Sequence, residues 1–371
     1  MKVLIITGKF GMGHYAAALN LAEQVKASGL VQDVWVSDLC QEAFPNSCEL
    51  VYSAYSSLMK KGRLLYNSAH NKVGYGERNN QNSNRWMWSR LRKTTAGLVV
   101  RYQPDIVITT YSIASRAMAE YKRYSGDSIP LVTCITDVSG HSNWLNQETD
   151  LYLVAAISTR NELVMRGVEP QKIAVSGIPV RSEFKRGAAR IGTQKRRFEV
   201  LIMGGGLGLI PAQTAFYDAL SRMENIHVTV ITAKNEKLRK KLAARRYPNY
   251  SLIGLTDQVD AYMRQADLII TKPGGITTFE AIHAEVPMLV FHPFLGQEIR
   301  NGQFIEANGF GMVLDKDPHS AVTALRTILN YDELLENIRN NMKSMKARLD
   351  DQALLRFLEE YAGKRRRRAI V

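Results

Sequence analysis

Two series of short apolar segments, separated by glycine-containing turns and helix-length stretches, constrain the fold of this chain most strongly. The first series begins at Lys2–Thr7 and the second at Phe198–Met203. Apolar runs alternating with helix-length stretches are typical of parallel strands covered on both faces by helices. The sequence therefore predicts an α/β protein with two Rossmann-like, doubly wound domains.

The domain boundaries follow from this pattern. A chain of 371 residues has room for two domains of ordinary size. We place an N-terminal domain at residues 1–180 and a C-terminal domain at residues 198–345, with a polar, basic, strand-poor linker over residues 177–197. Residues 333–362 have helical spacing, and residues 346–371 are expected to form a C-terminal helix and basic tail. The ten predicted strands are residues 2–7, 34–36, 105–109, 131–136, 151–155, 198–203, 227–232, 252–254, 268–271 and 288–291.

Apolar content and cysteine usage exclude several classes of protein. The uncharged run Val200–Ala212 is 13 residues long, which is too short to cross a bilayer. The apolar core of Val3–Ile6 is too short for a signal peptide. Cys40, Cys48 and Cys134 form no CxxC pair, so neither a zinc site nor a redox motif is indicated. We expect a reduced, cytoplasmic protein without a transmembrane helix.

The net charge of +14 is concentrated in blocks at residues 60–101, 181–197, 234–246 and 364–368. Patches of this kind indicate a polyanionic partner, which could be nucleic acid, anionic lipid or a phosphate-bearing ligand, or else solvated helix faces. In the first block, Arg85, Trp86, Trp88 and Arg92 interleave basic and aromatic side chains. That composition suits an interfacial amphipathic helix on an anionic membrane, where each basic residue contributes about 1 kcal/mol. A buried core helix is the alternative.

Three glycine turns follow predicted strands, at Gly8–Gly13, Gly204–Gly208 and Thr271–Gly275. A glycine turn before a helix leaves backbone N–H groups free at a positive helix end, which suits a phosphate. None of the three fits the dinucleotide fingerprint or the P-loop. Because ligands bind at the carboxyl ends of strands in open α/β sheets, the three turns together predict a phosphate-bearing ligand.

Polar residues after the third turn suit a sugar. Thr277 and Glu280 have the spacing of a helix capping box, which would explain Glu280 structurally. The alternative is that Glu280 accepts hydrogen bonds from two sugar hydroxyls. Gln297, Glu298 and Asn301 are expected on a loop after a strand, and side chains of this kind suit a sugar ring.

At these residues the chain resembles the diacylglycerol glycosyltransferases of glycosyltransferase family 28, which include the monogalactosyldiacylglycerol synthases. The resemblance spans nearly the whole chain. Its landmarks are Thr7–His14, Thr136-Asp137 with His141 and Trp144, Ser176–Pro179, Ile270–Thr277 with Glu280 and Pro287, and Pro293–Glu298.

The resemblance implies a GT-B fold, in which two Rossmann-like domains face each other across a cleft. It implies a nucleotide sugar, UDP-glucose or UDP-galactose, on the C-terminal domain and diacylglycerol on the N-terminal domain. It also implies a peripheral protein on the inner face of the membrane. The expected reaction is inverting transfer of a hexose from the UDP-sugar to the diacylglycerol hydroxyl, with no cofactor.

Site residues follow from the resemblance position by position. On the donor side, Glu280 would bind the ribose hydroxyls, the backbone near Leu255 and Thr256 the uracil, and Gln297 and Glu298 the hexose. The diphosphate would be lined by Gly205, Gly206, Lys272, Gly274, Gly275 and Thr277. On the acceptor side, Gly13, His141 and Trp144 would lie near the lipid hydroxyl, with Arg85, Trp86, Trp88 and Arg92 at the membrane.

The reaction needs a base for the acceptor proton. His14 is the first candidate, because the unperturbed pKa of histidine is near neutral. Asp137 is the second, either as the base or as the group that orients His14 or His141. Helix N-termini and Lys272 would stabilise the leaving diphosphate without a metal. The sequence Asp315–Asp317 resembles a metal-binding DxD, but its place after a strand and before a helix indicates turn and cap chemistry.

Two other functions remain open from the sequence. A related transferase could act on another lipid acceptor, such as a polyprenyl-linked peptidoglycan precursor. A basic nucleic-acid-binding protein would explain the charge but not Glu280 or Gln297, and the chain has no recognisable nucleic-acid motif. We therefore expect no nucleic-acid partner.

Overall fold

The computed structural model describes residues 1–10, 12–53, 85–186, 197–293, 295–317 and 319–370. They form two compact units. The first unit holds Met1–Val180 together with the C-terminal segment that begins at Leu349, and the second holds Arg181–Arg348.

In the described part of the first unit, six parallel strands form one sheet in the order β2-β1-β3-β4-β5-β6. The strands β1 to β6 are Lys2–Thr7, Asp33–Asp38, Ile106–Thr109, Leu131–Cys134, Leu151–Val154 and Ile173–Val175. The α-helices of this unit are Gly13–Ala27, Leu39–Ala43, Arg85–Tyr102, Ser112–Ser125, Ile157–Met165 and Ala353–Ile370.

Strand β1 shows why this sheet is covered on both faces. Successive side chains of a strand point to opposite faces of the sheet. Val3 and Ile5 pack in one core cluster with the first and last helices of the unit, whereas Leu4 and Ile6 pack in another with the helices on either side of β3. All four side chains are fully buried. A continuous apolar run is what such a strand requires.

The second unit repeats the architecture. Its described residues form six parallel strands in the order β12-β11-β10-β7-β8-β9. The strands β7 to β12 are Phe198–Met203, Ile226–Ile231, Tyr250–Ile253, Leu268–Thr271, Met288–Val290 and Gly311–Val313. The α-helices are Thr214–Ser221, Glu236–Ala243, Val259–Gln265, Gly275–Ala284, Gly296–Ala307, Ser320–Asn330 and Asp332–Ala347.

Each sheet reverses its strand order beside its first strand. The reversal lies between β1 and β3 in the first unit and between β7 and β10 in the second. Ligands bind outside the carboxyl ends of the strands at such a point. The turns after β1, β7 and β10 are the three glycine turns, so all three lie at these positions.

No residue bounds were predicted for the strands β6 and β12, although a strand was expected before Asp315. Each is three residues long and lies at the edge of its sheet. Three residues are too few to show the hydrophobic alternation that identifies a strand in a sequence. Gly311, at the start of β12, also lowers the strand propensity. A Cβ at this glycine would lie 1.8 Å from the Met288 carbonyl oxygen, so glycine is needed for β12 to approach β11.

The helical tail predicted over residues 333–362 consists of two helices, Asp332–Ala347 and Ala353–Ile370. Between them, the backbone N–H of Asp350 donates to the Val175 carbonyl of β6 at 2.8 Å. Leu354 and Leu358 then pack in the core of the first unit. The last helix, which the sequence placed in a segment of its own, is therefore part of the first unit.

Candidate active site

The turn after β1 places His14 in the first turn of the helix Gly13–Ala27. Met12 is the N-cap residue, with a left-handed φ of 65° and no side-chain hydrogen bond to the helix. The hydroxyl of Thr110, which directly follows β3, donates to the His14 carbonyl at 2.9 Å. Because β1 and β3 flank the reversal of strand order, His14 lies at the ligand-binding position of this sheet.

The imidazole of His14 is partly buried among polar and aromatic groups. Its Nδ1 lies 2.6 Å from Oγ1 of Thr136, and its centroid lies 5.0 Å from that of Tyr111 and 6.3 Å from that of Trp144. Burial lowers the pKa of His14 below its ordinary value, although the negative charge of Asp137 acts in the opposite direction. His14 is therefore neutral at neutral pH and can accept a proton.

Asp137 is a buried carboxylate whose charge acts on His14. Its Oδ2 accepts a hydrogen bond from Trp144 Nε1 at 3.0 Å and pairs with His141 Nε2 at 3.4 Å. Burial alone would raise the pKa of Asp137, but the hydrogen bond from His141 and the charges of both histidines lower it below its ordinary value. An ionised carboxylate with a lowered pKa is a weak base, so the geometry favours His14 in that role. Asp137 instead orients His141 and Trp144.

Sequence reasoning missed the aromatic residues around His14. Phe10 stacks on Tyr111 at a centroid distance of 5.6 Å and meets Tyr52 edge-on at 4.7 Å. The Tyr52 hydroxyl accepts a hydrogen bond from the backbone N–H of Lys9 at 3.2 Å. These rings hold the turn that carries His14. Phe10 lies within the glycine motif, but nothing in the local sequence indicates Tyr52 or Tyr111.

The turn after β7 is so tight that two of its positions admit only glycine. A Cβ on Gly204 would lie 2.5 Å from the backbone of Leu209. Gly208 has a φ of 61°, and a Cβ there would lie 2.0 Å from the carbonyl oxygen of Thr232. These close approaches explain the glycines at the two ends of the turn without reference to a ligand.

The middle of this turn is different, because it is open and lies beside a cation. No described atom lies within 4 Å of a Cβ built on Gly206, and one built on Gly205 would lie 3.8 Å from Lys272 Cε. Lys272 follows β10, so its side chain links the two glycine turns of the second unit. Its Nζ lies 3.6 Å from Glu298 Oε1, and both side chains are partly buried. A cation beside an open glycine backbone suits a phosphate.

The turn after β10 leads into a helix with an open N-terminus. Gly274 is the N-cap residue of the helix Gly275–Ala284, and no described side chain caps it. Thr277 is buried in the first turn, and the Thr278 hydroxyl donates back to the Gly274 carbonyl at 2.8 Å. The first backbone N–H groups of the helix therefore stay available to an anion.

Glu280 is not part of a capping box, so that alternative was wrong. Because Gly274 is the N-cap, Thr277 is the third helical residue and Glu280 lies in the second turn. Glu280 is partly buried and forms no hydrogen bond or ion pair with a described residue. Burial raises its pKa to about 7, with the positive charge of Arg181 acting against this and the negative charge of Asp260 adding to it. An unpartnered, partly buried carboxylate is unfavourable unless a ligand supplies donors.

Two arginines hold the acidic neighbour of Glu280. The Arg181 guanidinium lies 3.4 Å from Asp260 Oδ1, and the Arg264 guanidinium lies 3.0 Å from Asp260 Oδ2. Arg181 also donates to the Asp257 carbonyl at 2.7 Å. Among the described residues, both guanidinium groups therefore pair with Asp260, and Glu280 has no ion pair.

Gln297, Glu298 and Asn301 lie on the helix Gly296–Ala307 and not on a loop, so the expected loop was wrong. The residue before the helix, Leu295, is its N-cap, which places Gln297 and Glu298 in the first turn. Asn301 is buried, and its Nδ2 donates to the Pro273 carbonyl at 2.9 Å. Asn301 thus anchors the turn after β10, a role that spacing alone did not indicate.

The segment predicted to hold the uracil follows β9 at the edge of the second sheet. Leu255 is exposed, and the Thr256 hydroxyl accepts a hydrogen bond from the Gln258 backbone at 3.1 Å. Uracil binding at Leu255 and Thr256 stays a prediction.

The basic and aromatic helix Arg85–Tyr102 packs one face on the core of the first unit. Trp88 packs against the same core, with the Arg116 guanidinium 3.9 Å from its ring centroid. The structure therefore favours the core-helix alternative for this face. The buried residues are Leu91, Thr95, Leu98 and Val99.

The other side of this helix carries the groups that suit a membrane surface. Trp86 is 68% exposed and Arg85 is also exposed. Arg92 lies over the ring of the exposed Tyr124, with its guanidinium 3.7 Å from the centroid. None of the described helices combines the length and apolarity that a bilayer-spanning segment needs.

The sequence Asp315–Asp317 forms a turn before the helix Ser320–Asn330, as its position predicted, but the N-cap residue is His319 without a side-chain hydrogen bond to the helix, so the predicted cap was wrong. Asp317 Oδ1 accepts from the backbone N–H of His319 at 3.1 Å, and the Ser320 hydroxyl donates to the Asp315 carbonyl at 3.2 Å. Within the described ranges, no group of three or more His, Cys, Asp or Glu side chains is placed to hold a metal ion.

Comparison with known proteins identifies the family and the fold of the chain. Residues 14–180 match the family model of monogalactosyldiacylglycerol (MGDG) synthase, and residues 200–353 match that of the glycosyltransferase family 28 C-terminal domain. A spinosyn rhamnosyltransferase, SpnG, has the same fold, with a TM-score of 0.66 and 15% identity over 97% of this chain and 100% of that one. The predicted GT-B fold of two Rossmann-like domains is therefore confirmed.

Curated relatives cover almost the whole chain. The processive diacylglycerol beta-glucosyltransferase of Bacillus cereus (strain ATCC 14579) is 30% identical over 353 residues, which are 93% of this chain and 89% of the relative. The protein of the same name from Bacillus pumilus (strain SAFR-032) is 29% identical over 370 residues, which are 97% of this chain and 94% of the relative. The chain belongs to the diacylglycerol glycosyltransferase and monogalactosyldiacylglycerol synthase family, within glycosyltransferase family 28.

Proposed function

We propose that this protein transfers a hexose from a UDP-sugar to the hydroxyl of diacylglycerol, with inversion at the sugar carbon. The main support for the proposal is the environment of Glu280. This carboxylate is partly buried, has no hydrogen bond or ion pair with a described residue, and lies near the point where the second sheet reverses its strand order. A site that leaves a carboxylate unpaired needs a ligand with paired donors, and the two hydroxyls of a ribose supply them. The names of the relatives support the same reaction.

On the donor side, the two turns beside Lys272 hold the diphosphate. The open N-terminus of the helix Gly275–Ala284 and the backbone at Gly205 and Gly206 supply N–H groups, and Lys272 supplies a positive charge. These groups stabilise the charge that develops on the leaving UDP. Leu255 and Thr256 hold the uracil.

The pairing between Lys272 and Glu298 connects the diphosphate to the sugar. The Glu298 carboxylate lies 3.6 Å from the ammonium and orients it in the absence of donor. When a diphosphate pairs with Lys272, a Glu298 oxygen becomes free to accept a hydrogen bond from a hexose hydroxyl, and Gln297 lies beside it in the first turn of the same helix. On donor binding, Lys272 thus exchanges one charged partner for another, and the Glu298 carboxylate exchanges its ion pair for a hydrogen bond from the hexose.

On the acceptor side, His14 acts as the base. Its neutral imidazole takes the proton of the diacylglycerol hydroxyl, the hydroxyl oxygen forms a bond to the sugar carbon, and the bond from that carbon to the UDP oxygen breaks. UDP leaves with the electron pair, and the single displacement inverts the configuration. The negative charge of Asp137 stabilises the imidazolium that forms, as its raising effect on the pKa of His14 indicates.

The acceptor is a lipid, so the protein must reach a membrane surface. The exposed Trp86 and Arg85 supply an indole and a positive charge on one side of the helix Arg85–Tyr102. Each basic residue near an anionic surface contributes about 1 kcal/mol, so several are needed for stable attachment. We place the protein on the inner face of the membrane, attached peripherally.

The proposal is tested by incubating the protein with vesicles that contain diacylglycerol and with a panel of UDP-sugars. We expect UDP release and glycolipid formation in equal amounts, with UDP-glucose or UDP-galactose as the donor. His14→Ala and Glu280→Ala should abolish both signals. UDP release that needs no lipid, or the absence of glycolipid with every donor, would show that the proposed reaction is wrong.

A further inference from the structure

The hydroxyl of Thr136 is the polar side-chain atom that the structure places against the His14 imidazole. The distance from Nδ1 to Oγ1 is 2.6 Å, and the Thr136 side chain is buried. Thr136 follows β4 in the same sheet, so a buried strand end fixes its position. In many catalytic sites a carboxylate occupies this place beside the histidine.

A second contact sets the direction of this hydrogen bond. Oγ1 of Thr136 lies 3.4 Å from the backbone carbonyl of Thr110, to which it donates. A carbonyl oxygen only accepts, so Thr136 is the donor in this contact. With its single hydroxyl proton directed to Thr110, Oγ1 accepts from His14, and Nδ1 carries the imidazole proton. The Thr110 carbonyl also acts directly on the imidazole and raises its pKa, as expected for an acceptor near a ring N–H.

We propose that Thr136 is a positioning residue that fixes His14 in the tautomer protonated at Nδ1, so that Nε2 carries the lone pair that takes the acceptor proton. This inference rests on the proposed function, in which His14 is the base. A neutral hydroxyl holds the ring, and the charge of Asp137 acts on it through space. Thr136 therefore selects the tautomer of His14, and the adjacent Asp137 stabilises the charge of the imidazolium.

Two substitutions separate the hydroxyl from the shape of the side chain. Thr136→Val keeps the volume and removes the hydroxyl, whereas Thr136→Ser keeps the hydroxyl and removes a methyl group. We expect Thr136→Val to lower kcat by about 10- to 100-fold, the range for losing a hydrogen bond to a group that becomes charged. The KM for the UDP-sugar should change by less than about twofold, and Thr136→Ser should keep kcat within about threefold of the wild type.

The pH dependence of kcat at saturating UDP-sugar shows the direction of the hydrogen bond, because bound donor keeps the Glu280 carboxylate ionised. An oxygen that accepts from Nδ1–H stabilises the imidazolium, so its loss in Thr136→Val should move the acidic limb of the profile to lower pH. Asp137 and His141, the other charged groups that act on His14, stay in place in both variants. A shift to higher pH would mean that Thr136 donates to His14, and this result would overturn the proposal.

Nitrogen-15 NMR of the wild-type protein tests the tautomer without any variant at Thr136. His14 is assigned by comparison with His14→Gln. We expect a protonated Nδ1 and an unprotonated Nε2 at pH 8, and the reverse assignment would overturn the inference even if Thr136→Val fails to fold. Full turnover by His14→Gln would instead refute the proposed base, whereas the NMR result would still decide the tautomer.

Discussion

Replacing Glu280 with Gln removes a carboxylate that the folded protein leaves without a partner among the described residues. Burial raises the pKa of Glu280 to about 7 from its ordinary 4.5. One pKa unit corresponds to about 1.4 kcal/mol, so ionising this group costs up to about 3.5 kcal/mol more in the folded protein than in the unfolded chain. Solvent screening of a partly exposed side chain reduces this cost to about 1 to 3 kcal/mol.

The direction of the pKa shift determines how the stability of the wild type changes with pH. Because the folded-state pKa is the higher one, the unfolded chain releases this proton first as the pH rises. The cost to stability therefore begins near pH 4.5, grows up to about pH 7 and is constant above it. Gln carries no charge at any pH. Glu280→Gln should match the wild type below about pH 4.5 and be more stable by about 1 to 3 kcal/mol at pH 8.

The same substitution should weaken donor binding. Two hydrogen bonds from ribose hydroxyls to a carboxylate contribute about 1.5 to 3 kcal/mol each, and a neutral acceptor supplies about half of that. Glu280→Gln should therefore raise the Kd for UDP by about 10- to 100-fold at pH 8. A gain in folding stability together with a loss of UDP affinity is expected when a ligand-binding residue is replaced.

Two assays test this prediction together. Chemical denaturation at pH 5 and pH 8 measures the difference in unfolding free energy, and calorimetric titration measures the Kd for UDP. Glu285→Gln is the matched control, because Glu285 follows the same helix and pairs with Lys346 at 2.6 Å. It should lose stability and keep UDP affinity. If Glu280→Gln behaves like this control, Glu280 is a structural residue and the reasoning fails.

Four further results are expected. UDP affinity of the wild type should fall below pH 7, by up to about tenfold per pH unit, as Glu280 is protonated; a flat profile would argue against a carboxylate ligand. His14→Ala should abolish turnover while the Kd for UDP stays within about twofold, whereas surviving turnover would favour Asp137 as the base. Trp86→Ala should reduce partition of the protein onto anionic vesicles. Trp88→Ala should instead reduce the free energy of unfolding by about 3 kcal/mol, because the Trp88 ring packs on the core. Equal effects of the two variants on vesicle partition would contradict these separate roles. A chelator should leave turnover unchanged, and loss of activity that a divalent metal restores would refute this expectation.

The strands and the glycine turns were predictable from the sequence because they depend on local patterns. A strand such as β1 is buried on both faces, so it reads as an uninterrupted apolar run. The bounds of the edge strands β6 and β12 were not predictable, because three residues are too few to show the alternation of a strand. The position of the last helix depends on contacts far along the chain, such as that of Asp350 with Val175, which spacing does not encode.

The site was predictable only in part, for a related reason. The candidate residues His14, Lys272 and Glu280 lie next to glycine turns, so motifs locate them. The capping box at Thr277 fitted the spacing equally well, and only the observed start of the helix at Gly275 excluded it. The hydrogen bond between His14 and Thr136 joins residues 122 positions apart, and no local signal indicates it.

The anomeric configuration of the product tests the proposed mechanism most directly. In that mechanism, a lipid oxygen that His14 deprotonates displaces UDP in one step. UDP-hexoses carry the sugar in the α configuration, so proton NMR of the purified glycolipid should show a β-linked hexose from the first turnover onward. An α-linked product, or free hexose in place of a glycolipid, would contradict the single displacement.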